Sequence, residues 1–200
     1  STTMSYLATA KKAQPKPPII TIIGSPGTGK STLGALFPNP IFIQAEDGSS
    51  VFETWDEAEQ PTLLEALPKA RKDQAGNMVT STYETIKQQM REILTAEHDF
   101  QTLVFDANTS MSRLLEAEIA LRDGVGTVAD AAGGFHKGFI ELAQMHAEIV
   151  YMASVIRQKR GMGIVFLGHI GTEKVKNRPD DAAQYNVYSL DMHKDSAAIY

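Results

Sequence analysis

Residues 24–31, Gly24-Ser25-Pro26-Gly27-Thr28-Gly29-Lys30-Ser31, bring together the side chains that hold a polyphosphate. Glycines permit backbone conformations closed to residues with a Cβ, so successive N–H groups can converge on an anion. Lys30 adds a point charge for the outer phosphates, and the Ser31 hydroxyl is a hard oxygen suited to Mg2+. The spacing matches G-x-x-x-x-G-K-[ST] at every position. A glycine-rich turn that binds nothing is the alternative, and the context argues against it. The β-branched run Ile19–Ile23 precedes the motif, and "KSTLGALF" can continue as a helix whose N-terminus, with Thr32, faces the phosphates. This is the pattern of a nucleotide site using Mg2+. "NRPD" at 177–180 only superficially resembles a guanine-reading motif: it lies too far along the chain, and no D-x-x-G follows "TLVFD", so the base is read as adenine and the nucleotide as ATP.

Three further residues have types that fit such a site. Asp106 closes the apolar run "TLVF", where an acid at a strand tip can complete the metal shell; the competing role is to cap the next helix. Glu46, followed by Asp47, lies just past the strand "PIFIQ" and can orient or deprotonate a water at the γ-phosphate, unless it is a solvated loop acid. His169 ends the strand "GIVFLGH" and can contact the γ-phosphate, though a lone histidine is as readily a structural residue. Behind it, Lys174, Lys176 and Arg178 alternate along "GTEKVKNR", which reads as a mobile loop that could grip nucleic-acid phosphates. A second basic cluster, "RQKR" at 157–160, has a ready structural role at a helix carboxyl end. No aromatic ladder is visible, so any grip on a single strand would rest mainly on phosphates.

The elements that must position these groups alternate strand and helix. Strands are expected at Ile19–Ile23, Ile41–Gln44, 102–108 and 163–169, and helices after the phosphate loop, from Ser81, over Thr109–Arg122 and over Phe135–Arg160. Ser81-x-x-Glu84 is a capping box, and Ile86, Met90, Ile93 and Leu94 share one face of the helix it opens. Residues 51–79 read as a short helix with loops, and "RDGVGTVADAAGG" as too rich in Gly and Ala to be rigid. Strand–helix alternation predicts an α/β fold: a mostly parallel sheet with helices on both faces. The 200 residues suit one such domain, 19–200, behind a polar, Pro-rich, flexible arm, 1–18. What looks like a helix still open at Tyr200 leads us to expect further core elements beyond it.

Composition narrows the possibilities. With no cysteine there are no disulfides, thiolate zinc sites or cysteine nucleophiles, which fits a cytoplasmic location. No stretch reads as a membrane span or signal peptide, so no membrane partner is expected. A net charge of −5 argues against a general nucleic-acid coat but permits a local basic strip.

The order of these parts resembles that of the RecA-like P-loop ATPases: "GSPGTGKS", then the acid in "IFIQAEDGS", the Asp of "TLVFDAN" and the polar strand end of "IVFLGHI". More closely, "NPIFIQAEDGS" together with "GHI", a charged segment and "YNVYSLDMHKDS" resembles small phage-encoded ATP-binding proteins of the RecA/AAA type, some of which act in single-strand annealing recombination. The likeness spans 19–200. It implies Glu46 as the catalytic glutamate and His169 as the polar switch residue, with Lys30 on the γ-phosphate. It also implies that 122–134 and 171–184 are two mobile DNA-binding loops. It further implies a DNA-stimulated, Mg2+-dependent ATPase in the host cytoplasm that binds single-stranded DNA and promotes annealing and homologous recombination. Such a protein would work as a homo-oligomer, ring or filament, with a single-strand-binding protein as a further candidate partner. A neighbouring subunit's cation, from among Lys174, Lys176 and Lys194, would complete the site. The resemblance also places strand 163–168 between the phosphate-loop strand and the Asp106 strand. A P-loop kinase for a small acceptor, with those two strands adjacent, is the competing reading, and a module in which ATP only stabilises the fold is a third.

Overall fold

The computed structural model describes residues 5–176 and 184–200, with 172–176 and 184–188 described as backbone. The arm is exposed apart from its end and carries one helical turn, α1 (Tyr6–Thr9). It is tied down where it meets the core: Arg157 Nε donates to Pro17 O, and Ile164 N donates to Pro18 O.

From there the chain forms β1 (Ile19–Gly24), α2 (Lys30–Ala35) and β2 (Pro40–Gln44). Residues 45–80 hold two single 3-10 turns (Ser49–Phe52 and Glu57–Glu59), the two-residue strand β3 (Thr62–Leu63) and a small hairpin of β4 (Arg71–Lys72) with β5 (Met78–Thr80). The short helix expected there is absent. Then follow α3 (Thr82–Thr95), β6 (Thr102–Asp106), α4 (Asn108–Asp123), α5 (Lys137–Arg160), β7 (Gly163–Lys176), β8 (Gln184–Leu190) and α6 (Lys194–Ala197).

The main sheet runs β1-β7-β6-β2-β3, with every neighbour pair parallel, and β8 adds an antiparallel partner to the far half of β7. β7 therefore lies between the phosphate-loop strand and the Asp106 strand, as the resemblance implies. Alternation along the strands sends side chains to two cores. Ile41, Ile43, Leu103, Phe105, Ile164 and Phe166 meet α3, α4 and α5 on one face. Phe42, Val104, Val165 and Leu167 meet Ala35 of α2 and Phe52 on the other. Strands covered on both faces explain why these runs are apolar without a polar side.

By length and composition α5 would suffice to cross a bilayer, contrary to the expectation from sequence. Here one stripe of it is core: Leu142, His146, Ile149, Ala153 and Ile156 are buried. His146 is fully buried and satisfied at both ring nitrogens, 2.6 Å from the Tyr200 hydroxyl and 3.0 Å from Ser112 Oγ. At α3, half of the capping box forms: Ser81 Oγ accepts from Glu84 N. The buried Glu118 from α4 adds to this cap, accepting from Ser81 Oγ and from Tyr83 N.

Candidate functional site

The phosphate loop joins β1 to α2 at the carboxyl edge of the sheet. Gly27 (φ 78°) and Gly29 (φ 85°) take left-handed conformations, which is why glycine is needed there. Thr28 Oγ1 donates to Ser25 O at 2.7 Å and closes the loop on itself. Lys30 is buried and folds back over it, donating to Gly24 O (2.9 Å) and Ser25 O (2.7 Å). Burial pushes its ammonium below the usual lysine pKa, opposed by the Asp106 carboxylate. An anionic ligand would offset that penalty through its opposite charge.

Ser31 Oγ donates to Asp106 Oδ2 at 2.6 Å, so the two hard oxygens expected to share a metal meet across the loop. Asp106 does not act as a helix cap: Ala107 occupies the N-cap of α4, with no side-chain capping bond. In-register pairing of Gly24 with His169 brings the histidine to the same cleft, about 340 Å³, which Gly27, Gly29, Lys30, Ser31, Thr32, Asp106 and His169 line together with Val51. The His169 main-chain N–H donates to Thr109 Oγ1 (3.1 Å), while its Nδ1 is buried with no partner among the described residues. Partial burial, with Lys30 and Arg113 nearby, lowers its pKa.

Glu46 is exposed and stands one step aside. Ala45 N donates to Asp106 O, which sets the β2 and β6 tips together, but the Glu46 side chain lines an adjoining cleft with Lys69, Ser110 and Arg113. Asp47 serves the loop itself. Its Oδ1 accepts from Ser49 N, and that bond holds its pKa below the usual carboxylate value. The loop is fixed from below by Gln44, which donates to Leu64 O and accepts from Gly48 N. Gln44, Thr109 and Arg113 were not singled out from sequence, because their partners lie far along the chain.

Two expected loops differ from expectation. Residues 123–134 are packed: Val128 and Ala131 are buried, Ala132 N donates to Asp123 Oδ2, and Arg122 bridges Asp123 and Glu141. Gly138 lies so close to Val128 O that an added Cβ would sit 1.9 Å from it. Within 123–134 itself, a Cβ added at Gly124, Gly126, Gly133 or Gly134 would meet nothing within 4 Å; Gly124, Gly133 and Gly134 instead serve positive-φ backbone. Beyond His169, the chain stays extended: β7 continues to Lys176 and pairs with β8, register Lys174↔Asn186 and Lys176↔Gln184. Lys174 and Lys176 are therefore strand positions, and Arg178 lies outside the described residues. The "RQKR" cluster takes its structural role, with Arg160 donating to the carbonyls of Ile93, Leu94 and Ala96 at the end of α3.

A family model described as an AAA domain matches residues 16–199. Comparison with curated proteins found no match.

Proposed function

The chain belongs to the AAA-domain family of P-loop ATPases, nucleotide-binding proteins, and we propose that it is a Mg2+-dependent ATPase stimulated by single-stranded DNA, acting in strand annealing during phage recombination. The observation that carries this reading is the continuity of β7. One strand passes from the core, through His169 at the phosphate cleft, into the hairpin arm that carries Lys174 and Lys176. Occupancy of the cleft and the placement of those cations are thereby coupled through one element.

Lys30 and the loop N–H groups hold the phosphates, and the Ser31 hydroxyl and Asp106 carboxylate fit a hard divalent cation. When bound, Mg2+ offsets charge on the β- and γ-phosphate oxygens. Glu46 orients or deprotonates the attacking water, and its position beside the β6 tip leaves it to approach the γ-phosphate once substrate is bound. His169 offers a ring nitrogen toward the γ-phosphate. Thr32 also borders a groove of about 700 Å³ lined by Leu36, Trp55 and Gln60, which gives ribose and base room to extend. A homo-oligomer supplies the remaining cation, with Lys174, Lys176 and Lys194 as the candidates.

The kinase alternative needs the Asp106 strand beside β1; β7 separates them. The test is the ATPase rate with and without single-stranded DNA, run beside an assay for phosphate transfer to small acceptors. Stimulation of at least severalfold by DNA is expected. Equal rates would refute the DNA-coupled reading, and transfer to a small acceptor would establish the kinase.

A further inference from the structure

The region where α5 begins and β8 ends holds a set of rings that sequence spacing does not reveal. His136 and Phe139 stack at 5.9 Å with 20° between planes, and Phe139 and His193 stack at 4.0 Å with 10°. Phe135, next to His136 in the chain, is 90% exposed. Packing accounts for the inner pair, since Phe139 and His193 are half-buried. It does not account for Phe135 or for the open side of His136, which is exposed.

The backbone presenting these two rings is also unusual. Residues Ala132 to His136 all have positive φ, with Phe135 at 55° and His136 at 59°. Left-handed non-glycine residues are disfavoured and persist where the surroundings impose them. Here the surroundings do: Gly134 N donates to Ala131 O, Lys137 N to Gly134 O, and Gly138 abuts Val128 O. The backbone that presents the two rings is therefore held in place. Lys137 follows His136 and Lys194 follows His193 in the chain; both are exposed, and neither is ion-paired among the described residues. His193 is two residues beyond Asp191, whose N–H donates to His169 O, so the stack is tied to the strand tip at the phosphate cleft.

We propose that Phe135, His136, Phe139 and His193 form a stacking platform for unpaired nucleic-acid bases, with Lys137 and Lys194 meeting the adjoining phosphates. This rests on the single-strand-binding reading above and adds the element that grips bases rather than charge. Flat rings with parallel faces and flanking cations suit bases of any sequence, because every base has a π-face. It also supplies what the sequence seemed to lack.

The test compares binding of a fluorescent oligo-dT with an abasic strand of equal length, by anisotropy, in ATP and Mg2+. Wild type is expected to prefer oligo-dT by at least about fivefold, the low end of one stacked base. Phe135→Asn/His136→Asn removes both outer rings with a residue that tolerates left-handed backbone. It should bind the two strands alike while retaining ATP binding. Phe135→Tyr should keep the preference, and Phe135→Asn alone, at an exposed position, should lose part of it if the double variant does not fold. Equal binding of both strands by wild type, or an undiminished preference in the asparagine variants, would overturn the platform and leave single-strand binding intact. No binding of either strand by wild type would overturn both.

Discussion

His146 offers a prediction whose size follows from its surroundings. Burial lowers its pKa from 6.5 to about 4, because the charged imidazolium would have to give up water inside the core. Its two partners, the hydroxyls of Tyr200 and Ser112, can donate or accept, so the neutral ring is satisfied in either tautomer. The folded-state pKa is depressed, so the unfolded chain takes up the proton first. The stabilisation is present above pH 6.5 and is lost as pH falls from there toward about 4. Between pH 7.5 and 4.5 the loss from this group is about 2.5 kcal/mol, since each unit of pKa difference is worth about 1.4 kcal/mol. His146→Gln keeps a donor and an acceptor on the same helix position and removes the titration. Urea unfolding of both proteins across this range isolates the effect, because carboxylates such as Glu116 titrate in both. Wild type should lose about 2.5 kcal/mol more than His146→Gln. A difference between the two that stays constant from pH 7.5 to 4.5 would refute the assignment of a buried, neutral His146.

Other perturbations have equally definite outcomes. Lys30→Ala should abolish nucleotide binding in a fluorescent-nucleotide titration, whereas Glu46→Gln should retain binding and lose roughly a hundredfold or more in hydrolysis rate; normal hydrolysis by Glu46→Gln would exclude Glu46 as the base. Gly138→Ala places a Cβ against Val128 O and should cost about 1–3 kcal/mol in urea unfolding. Replacing Lys174, Lys176 and Arg178 together with alanine should flatten the log–log salt dependence of single-strand binding by roughly two units. Identical slopes would place the DNA path elsewhere.

Much of the site was legible in the sequence because it is local. The phosphate loop, its strand and its helix are contiguous, and Asp106 and His169 were marked by apolar runs that end in a polar residue. The order of the sheet came from the family resemblance and not from periodicity, which cannot tell which strands are neighbours. Composition alone did not resolve 123–134: Gly124, Gly133 and Gly134 are there for positive φ, with open space at their Cβ positions, while the buried Val128 and Ala131 anchor the stretch. Alternating charge after His169 hid a strand: "GTEKVK" has few β-formers and extends by pairing with a segment that follows later in the chain. The ring stack was invisible for the same reason, its members arriving from two distant segments.

β7 changes mechanical character along its length. From Ile164 to Leu167 it is paired with a strand on either side, but from Ile170 to Lys176 its described partner is β8 alone. It is thus a beam clamped in the core with a cantilevered end, and His169 sits at the point where the clamp stops. At about 3.3 Å per residue the projecting part spans about 23 Å, so a tilt of about 5° at His169 would carry Lys176 through about 2 Å. A displacement at the fulcrum too small to disturb the core is thereby amplified at the far end of the strand.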